Sequence, residues 1–412
     1  MPREVDPKRT RKALRQVRKL ASLQEAVEGE TPPDYSGWEK EFLSEVEARL
    51  DKYGSAFADL GKGAPDEALS RLQAQKLKEI EKKATCPLPA RGRGREEPMI
   101  TREDLDSAWH IVRGVFGPTP AYAWPLLAER AGHTIIVKHE NHCPTGAFKV
   151  RGGLVFLARL RERMPECAGL VTATRGNHGQ SIAFAASRTG VPLTIVVPHG
   201  NSREKNVAMR AFGADLIEHG RDFDEARVHA ARLGLERNLL YAPSFHPDLV
   251  AGVATYAVEL FGAHPDVETV YVPIGLGSGV CAVTLVRDLF ALPARIVGVV
   301  SENADCYARS FEAGALVETE TADTFADGLA VRVPNADAFA IMKTGVERIV
   351  RVSDLEIAAA MRIYHEDTHN MAEGAGAASL AAALKDHAKG KAAVILSGAN
   401  VDRDVAAKVL AG

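Results

Sequence analysis

KHENHCPTGAFKVRG, residues 138–152, is the stretch on which the fold turns. An apolar run, Thr134–Lys138, leads into it, a loop holding Pro144 and Gly146 follows, and a helical pattern opens at Lys149. Strand, loop and helix in that order are the building unit of a parallel sheet. A lysine at a helix N-terminus is opposed by the macrodipole, which lowers its pKa and leaves more free amine to form an imine. Most lysines are solvated surface charges, so the position alone does not separate the two readings.

The same order recurs outward along the chain. VTATRGNHGQ, residues 171–180, follows an apolar run and enters a helix. Its backbone N–H groups can hold an anion, and Asn177 can donate to an oxygen. An ordinary strand-to-helix turn has similar composition. PIGLGSGV, residues 273–280, follows the run Thr269–Val272. Gly275, Gly277 and Gly279, with Leu276 and Ser278 between them, let backbone amides come close to a phosphate. The dinucleotide spacing G-x-G-x-x-G is not met, because position 280 is Val. Apolar strands are expected at Thr134–Lys138, Leu170–Thr174, Leu193–Val197, Thr269–Pro273, Arg295–Val300 and Ala393–Leu396. Helices between them include Gln180–Arg188, Arg203–Phe212 and Phe223–Leu233. The pattern predicts an α/β fold with parallel sheet covered on both faces and ligands beyond the carboxyl ends of its strands.

The chain has 412 residues, 46% of them hydrophobic, and a formal net charge of -3. A sizeable core is available, and no global charge directs the chain to nucleic acid or a membrane. Five cysteines at 86, 143, 167, 281 and 306 form no C-x-x-C pair, which speaks for a reducing compartment and against a zinc site. No apolar run suits a membrane span, and the N-terminus has no h-region. A cytoplasmic protein is expected.

Residues 1–85 read as a helical N-terminal extension. Arg3, Lys8, Arg9, Arg11, Lys12, Arg15, Arg18 and Lys19 make its start basic. Acidic residues follow at once, so a solvated face is favoured over a nucleic-acid contact. Trp38, Phe42, Val46 and Leu50 form a helical stripe, and a third helix is expected from Asp66 to Lys83. Residues 86–98, CPLPARGRGREEP, read as a linker. The catalytic unit is then 99–412, with Thr101 and Asp104 as a capping box at its first helix.

Five ordered motifs together carry a resemblance. Thr145-Gly-Ala-Phe-Lys149-Val-Arg151-Gly152 resembles the lysine signature of serine/threonine dehydratases, also called threonine ammonia-lyases. Gly176-Asn177-His178-Gly179-Gln180 resembles their asparagine loop, and Gly275–Gly279 their phosphate loop. Glu373-Gly-Ala-Gly-Ala377 and Ser397-Gly-Ala-Asn400 agree with two later stretches. The match runs from about residue 105 to 412, three quarters of the chain.

The resemblance implies a pyridoxal 5'-phosphate enzyme of fold-type II, the tryptophan-synthase-β type. Such a fold has two open parallel-sheet lobes with the cofactor between them, the smaller at roughly 165–255. It implies that Lys149 bonds the cofactor and then serves as base at Cα. Phe148 would lie against the pyridine ring, Asn177 would bond its 3-hydroxyl, Gly275, Leu276, Gly277, Ser278 and Gly279 would hold the phosphate, and Ser397 would face the ring nitrogen. A neutral hydroxyl there suits β-elimination over transamination. Thr174, Arg175, Gly176 and His178 would meet the substrate. The implied reaction is dehydration and deamination of a β-hydroxy amino acid to a 2-oxo acid and ammonia, with L-threonine first and L-serine next. 3-Hydroxyaspartate or a diamino acid would suit the same loops.

Departures from the pattern bear on the chemistry. Ala147 replaces the usual Ser, and Cys143 stands where Gln is common. Arg175 stands where relatives have Ala or Ser, the position that serves racemases as a second acid/base. An arginine stays protonated, so racemization is not expected. Its side chain either pairs a substrate carboxylate or turns away, leaving only backbone to the substrate. The acidic pattern of the relatives' Mg site is imperfect near 301–305, so no metal is assigned. Twelve residues follow Asn400, too few for the regulatory domain of biosynthetic relatives. A homodimer or higher homo-oligomer is expected. Two rivals stand beside this reading, an inactive amino-acid-binding protein and a nicotinamide-dependent oxidoreductase.

Overall fold

The computed structural model describes residues 7–22, 37–53, 77, 99–386 and 390–412. The chain divides into two compact units, Met1–Glu97 and Pro98–Gly412.

In the first unit, helices Pro7–Ser22 and Gly37–Tyr53 bury Ala13, Val17, Phe42, Leu43, Val46 and Leu50. Three of the four stripe residues are thus buried; the side chain of Trp38 is outside the described set. Arg18 pairs with Glu47 at 2.7 Å and with Asp51 at 2.5 Å, which fits a solvated polar face. The third expected helix and the 86–98 linker fall outside the described residues, apart from Leu77, which is helical and buried.

The second unit opens with helix Arg102–Arg113. The Asp104 amide donates to Thr101 Oγ1 at 3.1 Å and the Thr101 amide to Asp104 Oδ2 at 3.0 Å, so the capping box forms. Among the described residues, ten strands build two sheets. They are β1 Ala121–Ala123, β2 Ile135–His139, β3 Leu170–Ala173, β4 Leu193–Val197, β5 Asp215–Glu218, β6 Leu240–Tyr241, β7 Thr269–Pro273, β8 Arg295–Ser301, β9 Arg348–Val352 and β10 Ala392–Leu396. The larger sheet has the order β1-β2-β10-β7-β8-β9 and the smaller β5-β4-β3-β6. Every pair is parallel except β1 with β2. All six strands read from the sequence are present, three with one end and β2 with both ends moved by one residue. β1, β5, β6 and β9 were not foreseen. β5 has only Leu216 and Ile217 between charged ends, β6 has two residues and β1 three, too little pattern to register. Helices begin earlier or run longer than expected: Asn177–Thr189 for Gln180–Arg188, and Phe223–Arg237 for Phe223–Leu233.

β2, β3, β4, β7, β8 and β10 are buried along nearly their whole length because helices cover both faces. The larger sheet carries two cores, one around Tyr256, Val272 and Ile296, the other around Tyr271, Val297 and Leu380. A third surrounds Leu157, Ile182 and Ile195 in the smaller lobe. Helix Lys149–Arg163 belongs to this third core, so Lys149 stands where the lobes meet.

Candidate active site

The loops foreseen from the sequence all leave the carboxyl ends of strands: 140–148 after β2, 174–176 after β3, 274–277 after β7, and 397 onward after β10. Together they line a cleft of ≈ 830 Å³ between the lobes. All of the sequence-predicted site residues lie on it.

Lys149 is the first residue of its helix, as expected. The Phe148 amide donates to Ser397 O at 3.0 Å, and Ala147 bridges Gly398, so the end of β10 fixes the lysine loop. Lys149 Nζ lies 3.1 Å from Ser278 Oγ and has no carboxylate partner among the described residues. Burial lowers its pKa to about 8. The helix terminus acts in the same direction. Phe148 meets Tyr256 edge-on, with centroids 6.0 Å apart.

The glycine loop enters helix Ser278–Leu289. Gly277 has φ +102, and a Cβ on Gly275 would lie 2.3 Å from Gly328 O. Neither position tolerates a side chain without a shift. Tyr307 donates to Leu276 O at 3.0 Å and Tyr256 to Gly279 O at 3.2 Å. These bonds hold the loop's carbonyls while the first N–H groups of the helix have no intrahelical acceptor. A phosphate fits such a cradle. With an enclosed amine of lowered pKa beside it, the residues fit the cofactor that the resemblance implies.

Thr174 Oγ1 accepts from the Gly176 amide at 2.9 Å and the Gly179 amide at 3.1 Å, so this hydroxyl ties the turn. His178 Nε2 lies 3.2 Å from Thr172 Oγ1. Burial, then the charge of Lys149, lowers its pKa to about 3, so the ring stays neutral. Asn177 Nδ2 donates to Glu373 Oε1 at 2.5 Å, and Asn177 Oδ1 accepts from Asn400 Nδ2 at 2.9 Å. Arg175 is half-buried and faces the cleft. Ser397 is buried on the cleft wall.

Three further residues escaped sequence reasoning. Lys205 Nζ, from helix Arg203–Ala211, pairs with Asp327 Oδ2 at 2.7 Å and Glu373 Oε2 at 3.2 Å. Burial works against the Lys205 charge, but the two carboxylates outweigh it and raise the pKa. Burial, then Asp327, raises that of Glu373, since one cation serves two carboxylates. The ion pairs join smaller lobe to larger. Glu373 stands in a stretch already singled out; Lys205 and Asp327 carried no local signal. Among the described residues, no group of three His, Cys, Asp or Glu is placed to hold a metal ion.

The model of a family described as "Pyridoxal-phosphate dependent enzyme" matches residues 112–398. The chain is 35% identical over 315 residues to an L-threonine ammonia-lyase of Thermotoga maritima, covering 76% of this chain and 78% of that one. It is 38% identical over 282 residues to an L-threonine ammonia-lyase of Geobacter sulfurreducens, covering 67% and 69%. Its fold is similar to that of a pyridoxal 5'-phosphate-dependent aspartate racemase, with a TM-score of 0.72, 26% identity, and coverage of 75% of this chain and 98% of that one.

Proposed function

This chain belongs to the family of pyridoxal-phosphate dependent enzymes, and from that premise we propose that it dehydrates and deaminates a β-hydroxy amino acid, giving a 2-oxo acid and ammonia. The two ammonia-lyases to which it is similar make L-threonine the first substrate to try and L-serine the second. The observation that carries the reading is Lys149: an enclosed amine of lowered pKa, without a carboxylate partner, 3.1 Å from the residue that opens the glycine-loop helix.

Pyridoxal phosphate, when bound, supplies the electron sink that acidifies the substrate Cα–H. Lys149 would be the amine that bonds it and, once released, the base that takes the Cα proton. Amides at the start of helix Ser278–Leu289 would hold the phosphate. Ser397 would offer the ring nitrogen a neutral hydroxyl. Phe148 would bound the ring. Asn177, which bonds Glu373 and Asn400, would serve the 3-hydroxyl. The β-hydroxyl leaves as water, and hydrolysis of the enamine product releases ammonia.

The likeness to a racemase calls for a second acid/base opposite Lys149. Arg175 is a poor one because its guanidinium stays charged. Among the described residues no helix is long and apolar enough to cross a membrane. A cytoplasmic homo-oligomer completes the proposal, supported by the free thiols of Cys143, Cys167, Cys281 and Cys306.

The test is 2-oxo acid release by the purified protein from L-threonine, L-serine, 3-hydroxyaspartate and a diamino acid. Turnover of a hydroxy amino acid is the expected result. Release from none of them, with cofactor bound, overturns the proposal.

A further inference from the structure

Arg175 stands where two cavities join. It lines the inner cleft with Lys149 and also an outer chamber of ≈ 1430 Å³. Phe223, Ser244 and Leu276 line both as well, so the two cavities adjoin at the guanidinium. Arg175 Nε is buried and has no hydrogen-bond partner among the described residues. The carboxylates nearest the passage are engaged elsewhere. Asp222 and Asp224 pair with Arg332 at 3.1 and 2.8 Å, and Asp327 and Glu373 pair with Lys205. Glu320 and Asp323 also lie on the outer chamber, and neither bonds Arg175 Nε, which has no hydrogen-bond partner among the described residues.

A buried polar atom without a partner is costly, and a guanidinium is built for two-pronged contact with a carboxylate. Its position therefore points to an anion that arrives with the substrate. An amino acid brings an α-carboxylate, but helix Asn177–Thr189 already offers that group the amides of Asn177 and His178, which have no intrahelical acceptor. The guanidinium remains over for a second anion.

We propose that Arg175 binds the side-chain carboxylate of a β-hydroxy dicarboxylic amino acid of the 3-hydroxyaspartate kind, and so selects that class over threonine and serine. The inference rests on the β-elimination reading above and names its substrate class. The reaction balances without any further reagent. Lys149 takes the Cα proton, the Cβ–O bond breaks with loss of water, and one water then adds to the enamine as ammonia leaves. The product is a 2-oxo dicarboxylic acid.

The test compares the holoenzyme with Arg175→Ala and Arg175→Lys. For 3-hydroxyaspartate and L-threonine, kcat/KM is measured in each. For L-aspartate and L-alanine, which lack a β-hydroxyl to eliminate, binding is followed through the cofactor absorbance. Wild type is expected to prefer 3-hydroxyaspartate. Arg175→Ala should lose at least about thirtyfold more for 3-hydroxyaspartate than for threonine, as for a charge-assisted pair. Aspartate binding should weaken by a similar ratio relative to alanine. Arg175→Lys should recover only part of the difference, since it keeps the charge without the fork. Wild-type preference for threonine, or equal losses for both substrates, overturns the proposal. If no hydroxy amino acid is turned over, the β-elimination reading fails first, and an unchanged ratio of aspartate to alanine binding then removes this role of Arg175 as well.

Discussion

Lys149 is set apart from the other lysines by what surrounds its amine. Burial lowers its pKa to about 8, whereas Lys205, equally enclosed, is raised because Asp327 and Glu373 stand beside it. One lysine is kept reactive and the other kept charged by the presence or absence of carboxylates. Two predictions belong at this scale. Lys149→Ala should abolish turnover and the absorbance near ~410 nm of the lysine-bound cofactor, because among the described residues the other amine on the cleft, that of Lys205, is held by Asp327 and Glu373. Wild-type-like keto-acid release from that variant would refute the assignment. The second concerns pH. Bond formation needs neutral amine, so the rate at which apoenzyme takes up pyridoxal phosphate should rise with pH and level off above about 8. An ordinary lysine would keep gaining to about 10.4. A rate still climbing well beyond pH 9 would mean that the amine is not enclosed as described.

The elements that carry these residues are held by buried charge. Arg151, two residues past Lys149, bonds Glu140 at 2.7 Å and Glu259 at 2.7 Å, and Lys138 bonds Glu259 at 2.5 Å. The ions tie β2, the helix of Lys149 and helix Pro247–Ala263 together. Replacing one partner leaves an uncompensated buried charge. Glu140→Gln should therefore destabilise the protein by about 3–5 kcal/mol, read as a lower urea midpoint at unchanged slope. A loss below about 1 kcal/mol would show that the cluster reorganises around the change. Periodicity and turn chemistry made much of this scale legible: six of the ten strands, the capping box at Thr101, and the loops at 140–148, 174–176 and 274–277 follow from local pattern. What stayed hidden depends on distant partners. Nothing near Lys205 tells it from a solvated lysine on an amphipathic helix; only Asp327 and Glu373, more than a hundred residues away, bury it. β9, Arg348–Val352, is broken by arginines at 348 and 351 and pairs with β8. The role of Glu373 was equally out of reach, since the carboxylate matters through Asn177 and Lys205 and not through its own sequence neighbours.

For the whole molecule, the question is how much of the chain the chemistry needs. The family match spans 112–398, and every residue assigned to the cleft lies between Phe148 and Ser397. The compact unit Pro98–Gly412 holds its own cores, built around Tyr256, Tyr271 and Ile182. Its first helix starts with a complete capping box, so helix Arg102–Arg113 does not depend on upstream residues for its N-terminal bonds. Leu105, Ala108 and Val112 of that helix join the core around Tyr256, which gives the start of the unit its own burial. We predict that a protein of residues 99–412 folds, binds pyridoxal phosphate and retains most of the full chain's kcat/KM. A unit of this size buries about three quarters of the surface its unfolded chain exposes, enough for independent stability. Thermal midpoint, cofactor absorbance and 2-oxo acid release, measured side by side with the full chain, decide the matter. A truncated protein that is soluble and loaded but loses more than about tenfold in kcat/KM would give the first 98 residues a part in catalysis. One that fails to fold would place the boundary of the catalytic unit upstream of Met99.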